Sequence, residues 1–379
     1  MSSTNVLTVN SYEPQDASYN HKTHTAAKTV KLSRGASLQS SDKNRPKGSR
    51  EHHDEPEPAA LVTSALDRMP VAAVETETPL PVKAARANLI IFQLTVVNFL
   101  TSLTTGLIVV GLPQIAADIK LAEHLYLWPS SVFGLTAGAA LLPTGAIADV
   151  LGPRSIELVG VTLLGVFTLG CGFASTGIQL VMFRAFQGLA IAMHLPCSVS
   201  LVTQYVPSGK KRNIGFACLG LSMPLGFSVG LVLGGVLVDT IGWRVGFYIA
   251  GAVMLVQAIA SFRIIPADIL PENVMSKLRT EIDWVGATIS SAGLAMLSYV
   301  LAILSTDSNN IRQPSAIVML TISVGLIIVF PLWMWHQEKH NRPALIPNYL
   351  WKNKVFSCIC VLTVLTWGVM NSMELFASL

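Results

Sequence analysis

The chain has 379 residues, of which 51% are hydrophobic and only 13% are charged, and its formal net charge is +4. Soluble domains carry about 25% charged residues, so this composition and the mean hydropathy of +0.53 exclude an ordinary soluble domain and indicate an integral membrane protein. The small net charge, without a basic, aromatic-interleaved module, indicates no binding of nucleic acid.

The first 87 residues are rich in Ser, Thr, Lys, His, Glu and Pro and contain no long apolar run. Such a segment buries too little apolar surface to fold, so residues 1–87 are predicted to form a disordered tail. No apolar core of a secretory signal lies near Met1, and the first spanning helix is expected to act as the signal. The pair His52 and His53 is read as solvated tail rather than as a metal site.

From Asn88 onward, apolar stretches follow one another with short polar breaks, and each is long enough to cross a hydrocarbon core, which takes about 20 residues. They predict an all-α integral membrane protein with nine spans: Leu89–Gly111, Trp128–Ala148, Ser155–Ala174, Ile178–Val199, Asn213–Val238, Gly246–Ile265, Trp284–Ser305, Ser315–Trp335 and Val355–Ala377.

The charges of the short loops give the orientation. Lys and Arg concentrate in every second loop, and the intervening loops hold only Lys120, Arg244 and Arg312. Because cytosolic loops are enriched in Lys and Arg, the N-terminal tail is predicted to be cytosolic. Nine crossings then place Leu379 outside, directly after the last apolar run, so either the ninth helix ends at the outer surface or the sequence is incomplete.

The fourth span carries a permanent charge. At about 100° per residue, Arg184, Gln187, His194 and Ser198 share roughly one quarter of the helix circumference. An arginine at the centre of a membrane helix costs about 3 kcal/mol and normally faces a cavity or a partner. The stripe therefore lines a functional cavity or, alternatively, forms hydrogen bonds between packed helices.

Two other spans have a polar face with the same helical spacing. On the first span the face consists of Asn98, Thr101, Ser102 and Thr105. On the ninth span it consists of Thr363, Trp367, Asn371 and Glu374. Glu374 is interpreted as the only carboxylate well within an apolar run, and it is either a proton site or an interfacial group at the frayed end of the helix.

The fifth span has Gly226, Gly230 and Gly234 spaced by four, which favours close helix packing, and Pro224 permits a kink. Between the second and third spans lies GAIADVLGPRS, in which Pro153 suits the first position of the third helix. Asp149 is placed near the positive end of that helix.

Together these stretches resemble the major facilitator superfamily, in the fourteen-span, fungal drug:proton antiporter branch of aminotriazole-resistance-like efflux pumps. The resemblance covers the chain after about residue 88, including the GWRVGFYI, DWVGA and RPALIPNYLWKNKVF segments. Three signatures carry it, between spans two and three, on span four and on span five: Gly145, Asp149, Gly152 and Arg154; Arg184, Gln187 and Gly188; Gly226, Gly230, Gly234 and Gly235.

The resemblance implies a major facilitator fold, with an N-terminal six-helix bundle at 88–266, a cytosolic loop and two linker helices at 267–345, and the first helix of an incomplete second bundle at 346–379. It implies a role in proton transfer for Arg184 and in the cytosolic gate for Asp149 and Arg154. The glycines of span five would shape the substrate path and restrain the direction of exchange.

Three positions depart from the family pattern. Val150 stands where a basic residue is usual, Leu231 where a proline is usual, and Thr104 where the first span often has an aspartate. Proton coupling is therefore less directly implied than the fold.

The leading hypothesis is a multi-pass transporter, monomeric and in the plasma or the vacuolar membrane, that exports a small amphipathic or toxic molecule in exchange for protons. An uptake permease for a small solute and a truncated, non-transporting membrane protein are the alternatives. No nucleophile with its base, no phosphate loop and no ligand-spaced His/Cys set is found in the sequence, so we expect no enzyme activity, no cofactor and no metal.

Overall fold

The computed structural model describes residues 83–122, 125–267, 273–306, 313–340, 342–346 and 348–378, with side chains described as far as residue 369 except at 305, 306 and 349. The predicted tail up to residue 82 lies outside the described residues, as do the side chains of Asn371 and Glu374.

The described backbone is helical, with short connections. The ten α-helices are α1 Ala84–Asp118, α2 Trp128–Leu151, α3 Pro153–Phe173, α4 Gly177–Tyr205, α5 Lys210–Thr240, α6 Trp243–Ile264, α7 Val274–Thr280, α8 Trp284–Thr306, α9 Pro314–Lys339 and α10 Lys354–Ser378. A 3₁₀ helix, Asn348–Lys352, precedes α10.

All nine predicted spans coincide with helices. Within the described residues, α1–α6, α8 and α9 are long and apolar enough to cross a membrane, and α10 contains a shorter apolar stretch, Lys354–Val369. The helix α1 begins at Ala84, so residues 84–87, which we predicted to belong to the disordered tail, are helical. Pro153 is the first residue of α3, as predicted, and follows Gly152, whose φ of 88° falls in the left-handed region that glycine tolerates.

The first six helices pack as a bundle, in which α1 lies along α5 and α6, α2 along α4, and α3 between α4 and α6. The helices α8 and α9 pack as a pair, and α8 contacts α2. The outer surfaces expose many large apolar side chains, for example Val232 and Ile328, as expected for helices that face lipid or other apolar helices.

Glycines allow α1 and α5 to touch through their backbones. A Cβ atom at Gly226 or Gly230 would collide with the carbonyl oxygen of Phe99 or Leu103, and one at Gly106 would lie 2.5 Å from the carbonyl oxygen of Phe227. Small residues permit such close approach in membrane helices. The predicted packing role of the α5 glycines therefore has a physical basis at Gly226 and Gly230.

Arginines connect α1 to α6 at both ends. At one end, Arg86 Nε donates a hydrogen bond of 2.7 Å to the carbonyl oxygen of Ile264. At the other end, Arg244 forms an ion pair with Asp118, whose Oδ2 also accepts a hydrogen bond of 3.2 Å from Trp243 Nε1. The GWRVGF segment thus anchors the start of α6 to the end of α1.

Asp283, in the DWVGA segment, organises the α8–α9 pair. One carboxylate oxygen, Oδ1, accepts a 2.9 Å hydrogen bond from the backbone N–H of Gly286, which is an N-cap interaction at the start of α8. The carboxylate also accepts a 3.0 Å hydrogen bond from Trp333 Nε1 on α9. A single buried carboxylate therefore caps one helix and holds the next.

We expect Gly230→Ala to lower the thermal unfolding transition of the purified protein, because the added methyl group must displace the α1 backbone at Leu103. Overpacking of this kind typically costs about 1–3 kcal/mol. Gly220→Ala on the same helix is the matched control, since a Cβ there has no neighbouring heavy atom within 4 Å. The control should be neutral or stabilising, because alanine is the better helix former by about 1 kcal/mol. Equal transitions for the two variants would contradict close α1–α5 packing.

Candidate functional site

Arg184 is fully buried in the interior of the bundle, with 0% of its surface exposed. Its Nε donates a 2.9 Å hydrogen bond to the carbonyl oxygen of Pro129 at the start of α2. Its Nη1 donates a 3.0 Å hydrogen bond to Gln187 Oε1, one turn along α4. The guanidinium also lies 4.4 Å from the ring centroid of Phe133, a cation–π contact that strengthens when water is excluded.

The hydrogen bonds continue from α4 to α3. Gln187 Nε2 donates a 2.6 Å bond to Thr168 Oγ1, and that hydroxyl donates in turn to the carbonyl oxygen of Leu164. Arg184 and Gln187 thus connect three helices, as the alternative of interhelical bonding predicted. Among the described residues no carboxylate contacts Arg184, and its Nη2 atom has no hydrogen-bond partner.

Gly188 explains how Arg184 reaches α2. A Cβ atom at Gly188 would collide with Thr136 Oγ1 and with the carbonyl oxygen of Phe133. Without that atom, α4 approaches the α2 backbone closely enough for the guanidinium to lie over Phe133. The glycine that follows Gln187 in the span-four signature is therefore a packing requirement of the arginine site.

His194 forms a second buried polar contact on α4, with a partner that we did not predict. Its Nδ1 lies 2.8 Å from Oε1 and 2.9 Å from Oε2 of Glu157 on α3, and both side chains are 0% exposed. Glu157 stands near the start of the third predicted span, and our interpretation singled out only Glu374 among the carboxylates of the spans. The sequence does contain a signal for this partner, because the Glu157 carboxylate stands between the apolar residues Ile156 and Leu158. Ser198, the last residue of the polar stripe on α4, is also buried, and its hydroxyl donates a hydrogen bond to the carbonyl oxygen of Leu195 within the same helix.

The polar face of α1 does not join these contacts. Asn98 and Thr101 are buried and Thr105 is half-buried, but the two threonines donate to carbonyl oxygens of their own helix. Asn98 Oδ1 has no hydrogen-bond partner among the described residues. No described hydrogen bond connects this face to Arg184 or His194, so its role in a transport pathway stays a prediction.

The signature between α2 and α3 lies beside a cavity of about 460 Å³, whose lining includes Gly145, the exposed Asp149 and Asp283. Gly152 forms the turn into α3. Arg154 is directed to α6, where its guanidinium lies 5.3 Å from the ring centroid of Phe262 and donates to the carbonyl oxygen of that residue. The gating role of these residues stays a prediction.

On α5, the glycine signature divides into two kinds of position. Gly226, Gly230 and Gly234 are buried against α1, whereas Gly235 is half-buried and Pro224 lies inside the helix. The packing of these glycines against α1 does not show how they affect the substrate path, and that role stays a prediction.

Charged and polar side chains enclosed within an apolar, multi-span helical bundle are typical of membrane proteins that move solutes, where intramembrane ionisable groups mark ion and substrate pathways. The chain belongs to the Major Facilitator Superfamily, a family of membrane transporters, whose family model matches residues 94–379. The fourteen-span count and the fungal antiporter branch stay predictions.

Three curated relatives illustrate the similarity. "MFS-type transporter 1" of Pyricularia oryzae is 38% identical over 78% of this chain and 53% of its own length. The "Aminotriazole resistance protein" of Saccharomyces cerevisiae is 27% identical over 64% of this chain and 44% of its own length. The "Major facilitator superfamily multidrug transporter mfsC" of Aspergillus fumigatus is 26% identical over 72% and 51%, respectively. The chain therefore spans about half the length of the curated relatives it matches.

We expect Gly188→Ala to separate α4 from α2 and to break the hydrogen bond between Arg184 and Pro129. A hydrogen bond to a charged group contributes about 1.5–3 kcal/mol, so the thermal unfolding transition should fall. Gly138→Ala on α2 is the control, since a Cβ there meets no heavy atom within 4 Å. A Gly188→Ala protein as stable as the Gly138→Ala protein would show that the close α2–α4 contact is dispensable.

Proposed function

We propose that the protein exports a small amphipathic or toxic compound across the membrane in exchange for protons. The observation that carries this proposal is Arg184, a permanent charge that is completely enclosed in the spanning bundle and retains an unpartnered Nη2 donor. Two of the similar proteins are named for multidrug transport and for aminotriazole resistance, and these names supply the substrate class of the proposal.

The free-energy cost of burying the Arg184 charge supports a functional role for this residue. A buried guanidinium that only connected packed helices could be replaced by apolar side chains at little cost to stability. The arginine instead keeps a donor available for a group outside the present network. Its described hydrogen-bond partners lie on α2 and α4, and Gln187 continues the network to α3. Arg184 would therefore move with the six-helix bundle if that bundle rocks against a second one during alternating access.

In this proposal, water enters the bundle when it opens and hydrates the free side of the guanidinium. The positive charge then disfavours protonation of nearby groups, which favours passing a proton that enters from outside on towards the cytosolic half of the bundle. Asp149 and Arg154 would close the opposite side, and the glycines of α5 would allow α1 and α5 to slide closely past one another. Export from the cytosol as a monomer of the plasma membrane, or into the vacuole, belongs to the same proposal.

We expect Arg184→Ala, made in the complete reading frame, to abolish proton-driven export while membrane insertion stays intact. The measurement is efflux of a panel of amphipathic compounds from expressing cells, with and without a protonophore. Arg279→Ala, which removes an exposed arginine of the short helix α7, is the matched control and should export normally.

Normal export by the Arg184→Ala protein would remove Arg184 from the mechanism. Accumulation rather than loss of compounds in wild-type cells would instead favour the uptake permease, in agreement with Thr104 standing where an aspartate is often found. Export that is insensitive to the protonophore would contradict proton coupling.

A further inference from the structure

Glu157 and His194 form a titratable pair that the proposed export mechanism does not use. Both side chains are completely buried, and they lie on two different spanning helices, α3 and α4. Each is the other's polar side-chain partner among the described residues. The remaining imidazole nitrogen, Nε2, is buried and has no hydrogen-bond partner. Nε2 is therefore the ring nitrogen that is not engaged by Glu157.

A glycine keeps the two helices close at this point. A Cβ atom at Gly160, one turn after Glu157, would lie 3.1 Å from Met193 Cβ and 3.4 Å from the backbone nitrogen of His194. Ile156, which precedes Glu157, and Cys197, one turn after His194, are buried in one hydrophobic cluster. Because the two helices pack this closely, the carboxylate and the imidazole lie in contact in a fully buried environment.

Other charged or titratable groups lie on the half of the helices that the loop charges predict to face the cytosol, on α1 to α6 in turn: Arg86, Asp149, Arg154, Cys197, Tyr205, Lys210, Lys211, Arg212, Cys218 and Arg263. Several have identified contacts elsewhere: Arg86 with Ile264, Arg154 with Phe262, and Arg212 with Val206. Among the described residues none of these groups forms an ion pair or hydrogen bond with the pair.

The pair is also separate from the arginine site. His194 lies ten positions after Arg184 on α4, a rise of about 15 Å along the helix axis. Arg184 is the nearer of the two to Gly177, and His194 lies on the side that the loop charges predict to face the cytosol. Two buried polar sites therefore occupy opposite halves of the same helix.

The proton balance of the pair is simple. With a proton on Nε2, an imidazolium faces the Glu157 carboxylate through Nδ1–H, and the net charge is zero. Loss of that proton leaves a neutral imidazole, still donating Nδ1–H to the carboxylate, and a net charge of −1. An uncompensated charge in a dry interior is strongly disfavoured, so the proton leaves only when water reaches Nε2.

We infer that Glu157 and His194 form a proton-binding site in the α3–α4 interface, which loads and releases one proton at His194 Nε2 as the bundle opens to water. The inference rests on the proposed proton-driven export and assigns the coupled proton to named atoms. Glu157 is the positioning residue, because it holds the imidazole tautomer through Nδ1 and compensates the charge of the loaded state.

The test is nuclear magnetic resonance of the complete protein, labelled with ¹⁵N-histidine and reconstituted in phosphatidylcholine liposomes, between about pH 5 and pH 8, where histidine titrates. One histidine signal should be lost in His194→Gln and should change from a bare to a protonated Nε2 as the pH falls. The same signal should shift in Glu157→Gln. Asp239→Asn, an exposed carboxylate on α5, is the matched control and should leave it unchanged.

A His194 signal that is constant over this pH range, or insensitive to Glu157→Gln, overturns the proton site and leaves a permanent structural pair. If His194→Gln does not reconstitute, the signal that shifts in Glu157→Gln but not in Asp239→Asn identifies the paired histidine.

Transport in the same liposomes tests coupling, with ethidium as the amphipathic probe. Glu157→Gln should lose dye movement driven by a proton gradient and retain dye exchange without a gradient, which a merely misfolded protein would not retain. Gradient-driven transport equal to wild type overturns the coupling role. A wild-type protein that moves ethidium without regard to the gradient refutes the proposed export function, while the pH titration still decides the proton site.

Discussion

The enclosed guanidinium of Arg184 imposes the strictest constraint on this bundle. A charge removed from water needs acceptors at defined positions, and here they are the carbonyl oxygen of Pro129 and the amide oxygen of Gln187. These acceptors come within reach because Gly188 lets α4 touch the α2 backbone. The placement of α2 against α4, and of α3 through Gln187, thus follows from satisfying one side chain.

The same principle operates further along α4. Glu157 and His194 neutralise one another where Gly160 brings α3 close. Both of these buried polar sites on α4 are therefore associated with a glycine that removes a side chain from the adjoining interface. Close helix contact and buried polarity depend on each other, because a wider interface would either admit water or leave the polar groups unpaired.

Membership of the Major Facilitator Superfamily accounts for the order of the motifs, but physical contacts account for individual residues within them. In the span-four signature, Arg184 supplies the charge, Gln187 accepts a hydrogen bond from it, and Gly188 leaves room for α2 to pack against both. In the DWVGA segment, Asp283 caps α8 and holds Trp333. Packing requirements of this kind coexist with the proposed transport roles at the same positions.

The sequence by itself determined the class of protein, the nine helices and the polar stripe of α4, because apolar runs of spanning length and helical spacing are local properties. It also indicated that Arg184 needs partners, but not which. The tertiary structure alone decided that α2 supplies Pro129 and that Glu157 meets His194. It also decided that the described threonines of the α1 polar face bond within their own helix rather than to Arg184. Those pairings depend on how each helix is rotated about its axis, which is set by contacts between residues far apart in the chain.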